Sequence, residues 1–324
     1  MKPAISVLLL TTLIGAGQGL FLAYYSAEWL LLLNILPATQ GDYGGEAAGL
    51  SFLLLAAGLA ASFFHLGHPQ RAWRAAAMWR TSWLSREVIA LPVAMALILA
   101  YALMKLTQND PVVFSLGSGI PLTLSMLAGF GAVLAVATLF VCTAMIYACL
   151  KFLRQWHSPL TVLNFLLMGC ASGFTLATAL AALSEDTRFD YFSGMAIMLT
   201  LAALLSRYAS LSRNRRLRSP SSLQSAIGVH HPRIRQLAQG AMGGSFNTRA
   251  FIHGYGAALL RLVRRGFILL AFVAPVVLLL AAHPATPSIF VIAFALQYLG
   301  LLAERWYFFI EAEHPQNIYY QMIS

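Results

Sequence analysis

Eight apolar runs, each approaching or exceeding the ~17–25 residues that a helix needs to cross a bilayer, leave this chain few ways to fold. They lie near Ala4–Leu33, Ala47–Leu66, Glu87–Leu106, Ile120–Leu150, Pro159–Leu183, Tyr191–Leu205, Gly266–Ala282 and Pro287–Phe309. In hydrocarbon every backbone N–H and C=O must be satisfied within the protein, so only helices and closed barrels qualify. The runs lack the alternating pattern of outer-membrane strands. The sequence therefore predicts an all-α polytopic membrane protein, a bundle of eight transmembrane helices. Its composition agrees, with 59% hydrophobic and only 10% charged residues, the balance of an integral membrane protein. The sixth and seventh runs are the shortest, and Arg207 is placed to lengthen the sixth by snorkelling to the interface. The first run is too long for a signal-peptide core and no small-residue cleavage site follows it, so it is expected to be retained. Residues 1–324 read as a single transmembrane domain, with one long basic loop at 206–265.

Charge sets the expected orientation. With the N-terminus inside, nineteen of the 21 Lys and Arg residues fall on the inner side, and only Lys105 and Arg188 fall outside. That asymmetry predicts cytoplasmic N- and C-termini. It also accounts for the net charge of +10 as a topology signal, so no nucleic-acid partner is expected. The basic cluster Arg213, Arg215, Arg216 and Arg218 opens the long loop, followed by the breaker Ser219-Pro-Ser-Ser. Such a loop suits anionic membrane lipid, at about 1 kcal/mol per basic residue, and equally an acidic soluble partner. Gly15/Gly19 and Gly169/Gly173 form two GxxxG pairs that let helix backbones approach closely. Cys142, Cys149 and Cys170 lie in apolar runs without metal-ligand spacing and read as small buried hydrophobes. No metal site is expected.

Chemistry is concentrated between the second and third runs. From Phe63 to Glu87 the chain carries two His, four Arg, three Trp and one Glu, at the edge of the bilayer. On a helix His65 shares a face with Gly58, Ala61 and Ser62, and Glu87 shares one with Ala90 and Ala94. Small faces are covered by other helices, so both groups are expected to point into the bundle. Ser85 is the expected cap for the third helix, with the Glu87 carboxylate favoured in its first turn. Read singly, His65 is an interfacial residue bonded to a loop carbonyl, and Glu87 is a dipole partner or pairs with Arg71 or Arg74. Together, ionisable groups at the ends of bundle-facing helices mark proton or ligand pathways. A quinone suits such a site. Its reduction takes two electrons and two protons, and imidazole is poised near neutral pH to handle a proton. Trp79 and Trp83 are candidates to wall the ring, although an aromatic belt explains them as well.

A membrane-embedded b-type haem needs axial histidines from the spans, and none of the eight runs carries His at mid-depth. No haem is favoured, with a site near the surface at His65 or His68 as the alternative.

The stretches Phe64-His-Leu-Gly-His-Pro-Gln-Arg-Ala-Trp73 and Trp79-Arg-Thr-Ser-Trp-Leu-Ser-Arg-Glu-Val88 resemble the dimethyl sulfoxide reductase anchor subunit (DmsC-type) family. So do Gly17-Gln-Gly-Leu-Phe21, Gly243-Gly-Ser-Phe-Asn-Thr-Arg249 and the segment from Glu304 to Tyr320. The resemblance implies an eight-helix subunit of the bacterial inner membrane. It would hold an iron–sulfur subunit and a molybdopterin catalytic subunit, and exchange electrons between a partner [4Fe–4S] cluster and ubiquinone or menaquinone. It further implies that His65 and Glu87 match the family's quinone-site pair. Arg71, Arg86, Trp79 and Trp83 join them here by proximity in sequence. The run from Trp79 to Glu87 is most similar to anchors of cytoplasmic sulfite dehydrogenases (SoeABC type), which would send electrons from sulfite into the quinone pool. A dimethyl sulfoxide reductase would run the other way and oxidise quinol. A reading from another class is a small-solute transporter. Transporters have inverted repeats and mid-membrane polar residues, whereas here there is no repeat and the ionisable residues gather at one edge.

Overall fold

The computed structural model describes residues 4–312 apart from 40, 42, 65, 117–119, 218–221, 235–255, 283 and 285. Among them, eight helices are long and apolar enough to span a membrane. These are α1 (Ile5–Leu32), α2 (Gly44–Phe63), α3 (Trp83–Leu106), α4 (Leu124–Ala148), α5 (Pro159–Leu183) and α6 (Phe189–Arg216). A short helix α7 (Leu223–Ile227) precedes α8 (Ala257–Ala281) and α9 (Pro287–Glu311). The expected all-α, eight-span architecture is the one found.

Five helices have an end three or more residues from expectation. Helix α2 spans Gly44–Phe63 in place of Ala47–Leu66, so it closes at Phe63, short of the position expected for His65 on the helix. Helix α3 starts at Trp83, because Ser82, not Ser85, is its cap and accepts from the Ser85 N–H at 3.3 Å. Helix α4 starts at Leu124. The preceding Ile120–Thr123 is a strand, β2, paired antiparallel with β1 (Val112–Leu116), and Thr123 then caps α4. Helix α6 runs eleven residues past Leu205, to Arg216, and Arg207 does not snorkel. It is 2% exposed and ion-paired inside the bundle. Helix α8 begins at Ala257, so residues read as the end of the long loop form the first turns of the span itself. The breaker at Ser219 and the Gly243–Arg249 stretch lie outside the described residues.

Helices α1 to α4 pack around Phe21, Tyr25, Leu55, Ile98, Tyr101 and Val136. Helices α5, α6, α8 and α9 share a second core with Ala203, Phe267, Ala271 and Leu301. The two groups meet where α1 lies against α5, and both predicted glycine pairs sit on that seam. A Cβ on Gly173 would fall 2.1 Å from the Gly19 carbonyl carbon, and one on Gly19 would fall 2.3 Å from the Gly169 oxygen. Among the described residues the glycines thus serve packing within the chain. In lipid, where no hydrophobic gain draws helices together, such close approach replaces it with dispersion contact.

A second close contact governs α8. Pro275 has no N–H, which deprives the Ala271 carbonyl of its helical donor. The helix passes through a π turn at Leu269–Val273. Gln297 on α9 repairs the defect, donating from Nε2 to the Ala271 oxygen (3.4 Å) and to Thr200 Oγ1 (3.1 Å). Gly300 makes room, since a Cβ there would fall 2.3 Å from the Ala271 nitrogen.

At the end of the bundle remote from the N-terminus, Asp110 accepts from the Ser125 N–H (2.8 Å) and hydroxyl (2.6 Å), with Lys105 at 4.0 Å. Burial alone would raise its carboxyl. The hydrogen bonds from Ser125 and Thr123 and the Lys105 charge outweigh it and hold Asp110 below the ordinary aspartate value.

These contacts can be tested by substitution. Gly173→Ala forces two backbones apart and should cost about 1–3 kcal/mol, whereas Gly194→Ala, with open space around it, should leave thermal unfolding in detergent unchanged or slightly improved. Asp110→Asn should lower stability at neutral pH. Its depressed carboxyl contributes above the unfolded-state pKa and stops contributing as pH falls through the folded one. The gap between variant and parent melting temperatures should therefore close in acid.

Candidate functional site

At the bundle end that holds the N-terminus, α2 gives way to a ten-residue 3₁₀ segment, Pro69–Met78, with no buried residue. Pro69 suits its first turn, and the segment presents Trp73 and Met78 to the surroundings. Three arginines lie over tryptophan rings here: Arg74 over Trp73, Arg80 over Trp79 and Arg86 over Trp83, the last at 4.2 Å. Arg86 also donates to the carbonyls of Trp79 (2.9 Å) and Arg80 (2.8 Å). It thereby ties the connection between α2 and α3 onto the start of α3.

Beside this connection a groove of about 890 Å³ opens between α3 and α4. Trp79, Trp83 and Arg86 form one end, and Val93, Leu97, Leu134 and Val141 line the rest. Its volume lies within the range of pockets that take small organic ligands. The apolar walls face outward, with Val93, Leu134 and Val141 all exposed.

Glu87 occupies the neighbouring, inward face of α3. It is 7% exposed, and the Thr143 hydroxyl of α4 donates to its Oε1 at 2.5 Å. The ion pairs found among the described residues include none with Glu87, so the anticipated partnership with Arg71 or Arg74 is not formed there. Arg71 is exposed on the 3₁₀ segment. The six residues singled out in the sequence thus divide. Trp79, Trp83 and Arg86 meet at the groove, Glu87 is buried next to it against Thr143 without lining it, Arg71 stands apart, and His65 lies outside the described residues.

The structure adds groups that stand in the sequence only as loop charges or motif letters. Arg207 of α6 pairs with Glu304 of α9 (2.7 Å), and Glu304 also pairs with its neighbour Arg305 (2.8 Å). Arg207 reaches Glu311 at 3.5 Å. Arg207, Glu304 and Arg305 are each at most 4% exposed. The Arg305 guanidinium stacks on Phe165 at 4.0 Å. The sequence does hold a signal for them: three charges at i, i+1 and i+7 closing an apolar run are costly in a membrane unless they pair. Thr143 carries no comparable signal.

His157 Nδ1 bonds the Ala148 carbonyl at 2.6 Å, which closes the α4–α5 turn. Among the described residues no group of three His, Cys, Asp or Glu is placed to hold a metal. The three cysteines are free thiols.

Eight spans, with a buried carboxylate and a lateral apolar groove beside it, define a polytopic membrane protein. The chain belongs to the DMSO reductase anchor subunit (DmsC) family, whose profile matches residues 1–309. It is also similar to the C subunit of the sulfite dehydrogenase of Allochromatium vinosum, with 50% identity over 325 aligned residues covering 100% of both chains. It is therefore a multi-pass membrane anchor subunit of an oxidoreductase complex, built to work with catalytic and electron-transfer subunits. The resemblance carried by the Phe64–Trp73 and Trp79–Val88 stretches points to the same family.

The bonds of Arg86 generate a direct test. Arg86→Ala removes two carbonyl partners and a ring contact, so amide exchange or proteolysis across Pro69–Thr81 should accelerate at least severalfold. Exchange in α5 should be unaffected.

Proposed function

We propose that this subunit exchanges electrons between an iron–sulfur cluster of its electron-transfer partner and quinone in the bilayer, serving a molybdopterin enzyme that oxidises sulfite. The full-length likeness to a sulfite dehydrogenase subunit supports the substrate and the direction. Membership of an anchor family favours this reading over a small-solute transporter. Both termini are assigned to the cytoplasm of a bacterial inner membrane, from the distribution of Lys and Arg. Exposed Arg215 and Arg216 at the end of α6, with Arg261 and Arg265 at the start of α8, put positive charge at that face, suited to an acidic soluble subunit and to anionic lipid.

The observation that carries the quinone assignment is the placement of Glu87. It is a buried carboxylate with a single hydroxyl partner, one helix face away from a groove that opens sideways toward lipid. The groove fits a planar ring with an isoprenoid tail: apolar walls for the tail, and Trp79, Trp83 and Arg86 at the head. Arg86 offers positive charge where the reduced ring gathers electron density, while its Nε and Nη2 donate to carbonyls of the α2–α3 connection. Each quinone takes up two electrons and two protons. Glu87 supplies one proton to a ring oxygen, and His65 is assigned to the other.

Glu87→Gln and His65→Ala in the assembled complex should slow sulfite-driven quinone reduction by about 10²-fold or more, the scale of a lost general acid. Sulfite oxidation with a soluble dye acceptor should stay at the parent rate. Parent-level quinone reduction in both variants rejects the assignment.

A further inference from the structure

Thr143, the hydrogen-bond partner of Glu87, and Arg305, a member of the buried ion network of α6 and α9, both line one small cavity. Its volume is about 30 Å³, and it lies on the seam between the two helix groups. Thr143, the partner of Glu87, lines it from α4, and Arg305 lines it from α9. Thr11, Thr12 and Gln18 of α1 and Ser172 of α5 complete a polar wall. Arg305 Nη1 is buried and has no hydrogen-bond partner among the described residues, while its Nε is taken by Glu304. A space of this size holds one water when two to four polar groups surround it, and an unpaired buried N–H is costly.

We propose that one ordered water occupies this cavity between Thr143 and Arg305, and that through it Arg305 is a positioning residue for the proton chemistry of Glu87. The inference rests on the assignment of Glu87 to quinone protonation. When the Glu87 O–H bond breaks and the ring O–H bond forms, a carboxylate is left in the bundle interior. Thr143 already donates to it. The bridging water, oriented by the Arg305 guanidinium, completes a line of donors aimed at the new negative charge. Behind Arg305 an alternating chain of ion pairs, through Glu304, Arg207 and Glu311, runs to the end of α9, where Glu311 is 15% exposed. Arg305 is held in place by Glu304 on one side and by Phe165 on the other. The other titratable groups near Glu87 among the described residues are Cys142 and Tyr147 of α4 and Arg86 on its own helix. None of these supplies a cation on the inward side.

The test uses the purified complex with sulfite as donor and a soluble quinone as acceptor. Thr143→Val removes the bridge while leaving the ion network whole. Arg305→Gln removes the charge, and Arg305→Lys restores it. Thr143→Val and Arg305→Gln should each slow quinone reduction about tenfold. They should also move its pH profile to higher pH by about one unit, a tenfold change in proton affinity. Arg305→Lys should keep the parent profile, and dye-coupled sulfite oxidation should be unchanged in all three. A Thr143→Val complex with the parent profile overturns the inference even if Arg305→Gln does not assemble. So does a density map that resolves ordered waters elsewhere in the bundle and shows none between Thr143 and Arg305. Failure of the quinone assignment would look different, because Glu87→Gln itself would then reduce quinone at the parent rate.

Discussion

The approach of α1 to α5 is the constraint on which the molecule is built. Within a bilayer, apolar side chains gain little by meeting each other, because lipid is as apolar as leucine. What holds two spans together is how closely their backbones can lie. Gly15, Gly19, Gly169 and Gly173 reduce that distance to direct backbone contact. Once α1 and α5 are locked, the polar residues they carry, Thr11, Thr12, Gln18 and Ser172, are brought to the same depth as Thr143 of α4 and Arg305 of α9. The small residues thus determine where polarity can exist inside the bundle.

Charge within the bundle obeys a related rule. An arginine at the centre of a spanning helix costs about 2.5–3.5 kcal/mol on insertion scales, and removing one partner of a buried pair costs about 3–5 kcal/mol. Arg207 and Arg305 are tolerated because Glu304 lies between them and Glu311 adds a second carboxylate near the surface. At the other end Lys105 pairs with Glu28, whose carboxylate also accepts from the Tyr101 hydroxyl at 2.6 Å. Arg188 there pairs with Asp186 at 2.7 Å. Among the described residues these paired charges thus form matched sets at the two ends of the bundle, and the buried Glu87 carboxylate stands apart from them with a hydroxyl as its partner.

The span pattern is legible in the sequence because hydrocarbon tolerates so few backbone solutions, and Pro159–Leu183 is legible to the residue. Sequence and structure part where polarity is treated as an end signal. Arg207 looks interfacial and α6 looks short, because a single chain of letters does not reveal that Glu304 waits a hundred residues away. The hairpin before α4 is hidden because Ile120-Pro-Leu-Thr is apolar enough to pass as helix. Its strand character comes from pairing with β1 and from the cap at Thr123. For the site, the small face of Ala90 and Ala94 correctly implies that Glu87 looks inward. The same reasoning does not separate it from Trp83 and Arg86, since sequence proximity says nothing about which side of a helix a neighbour occupies. The fragment around Glu304 is recognisable in the sequence only as a family motif, and its physical role emerges from three-dimensional pairing.

Helix α3 has two unlike sides only about a quarter turn apart, and that arrangement separates two kinds of traffic. Under the proposed function, a lipid-soluble molecule entering the lateral groove would meet tryptophan and aliphatic side chains, while the buried carboxylate faces the Thr143 hydroxyl. Quinone exchange of the kind proposed above would then proceed without wetting the interior. The two traffics can also be tuned apart: a longer or shorter tail calls for changes along Val93, Leu97 and Leu134, none of which touches the acid.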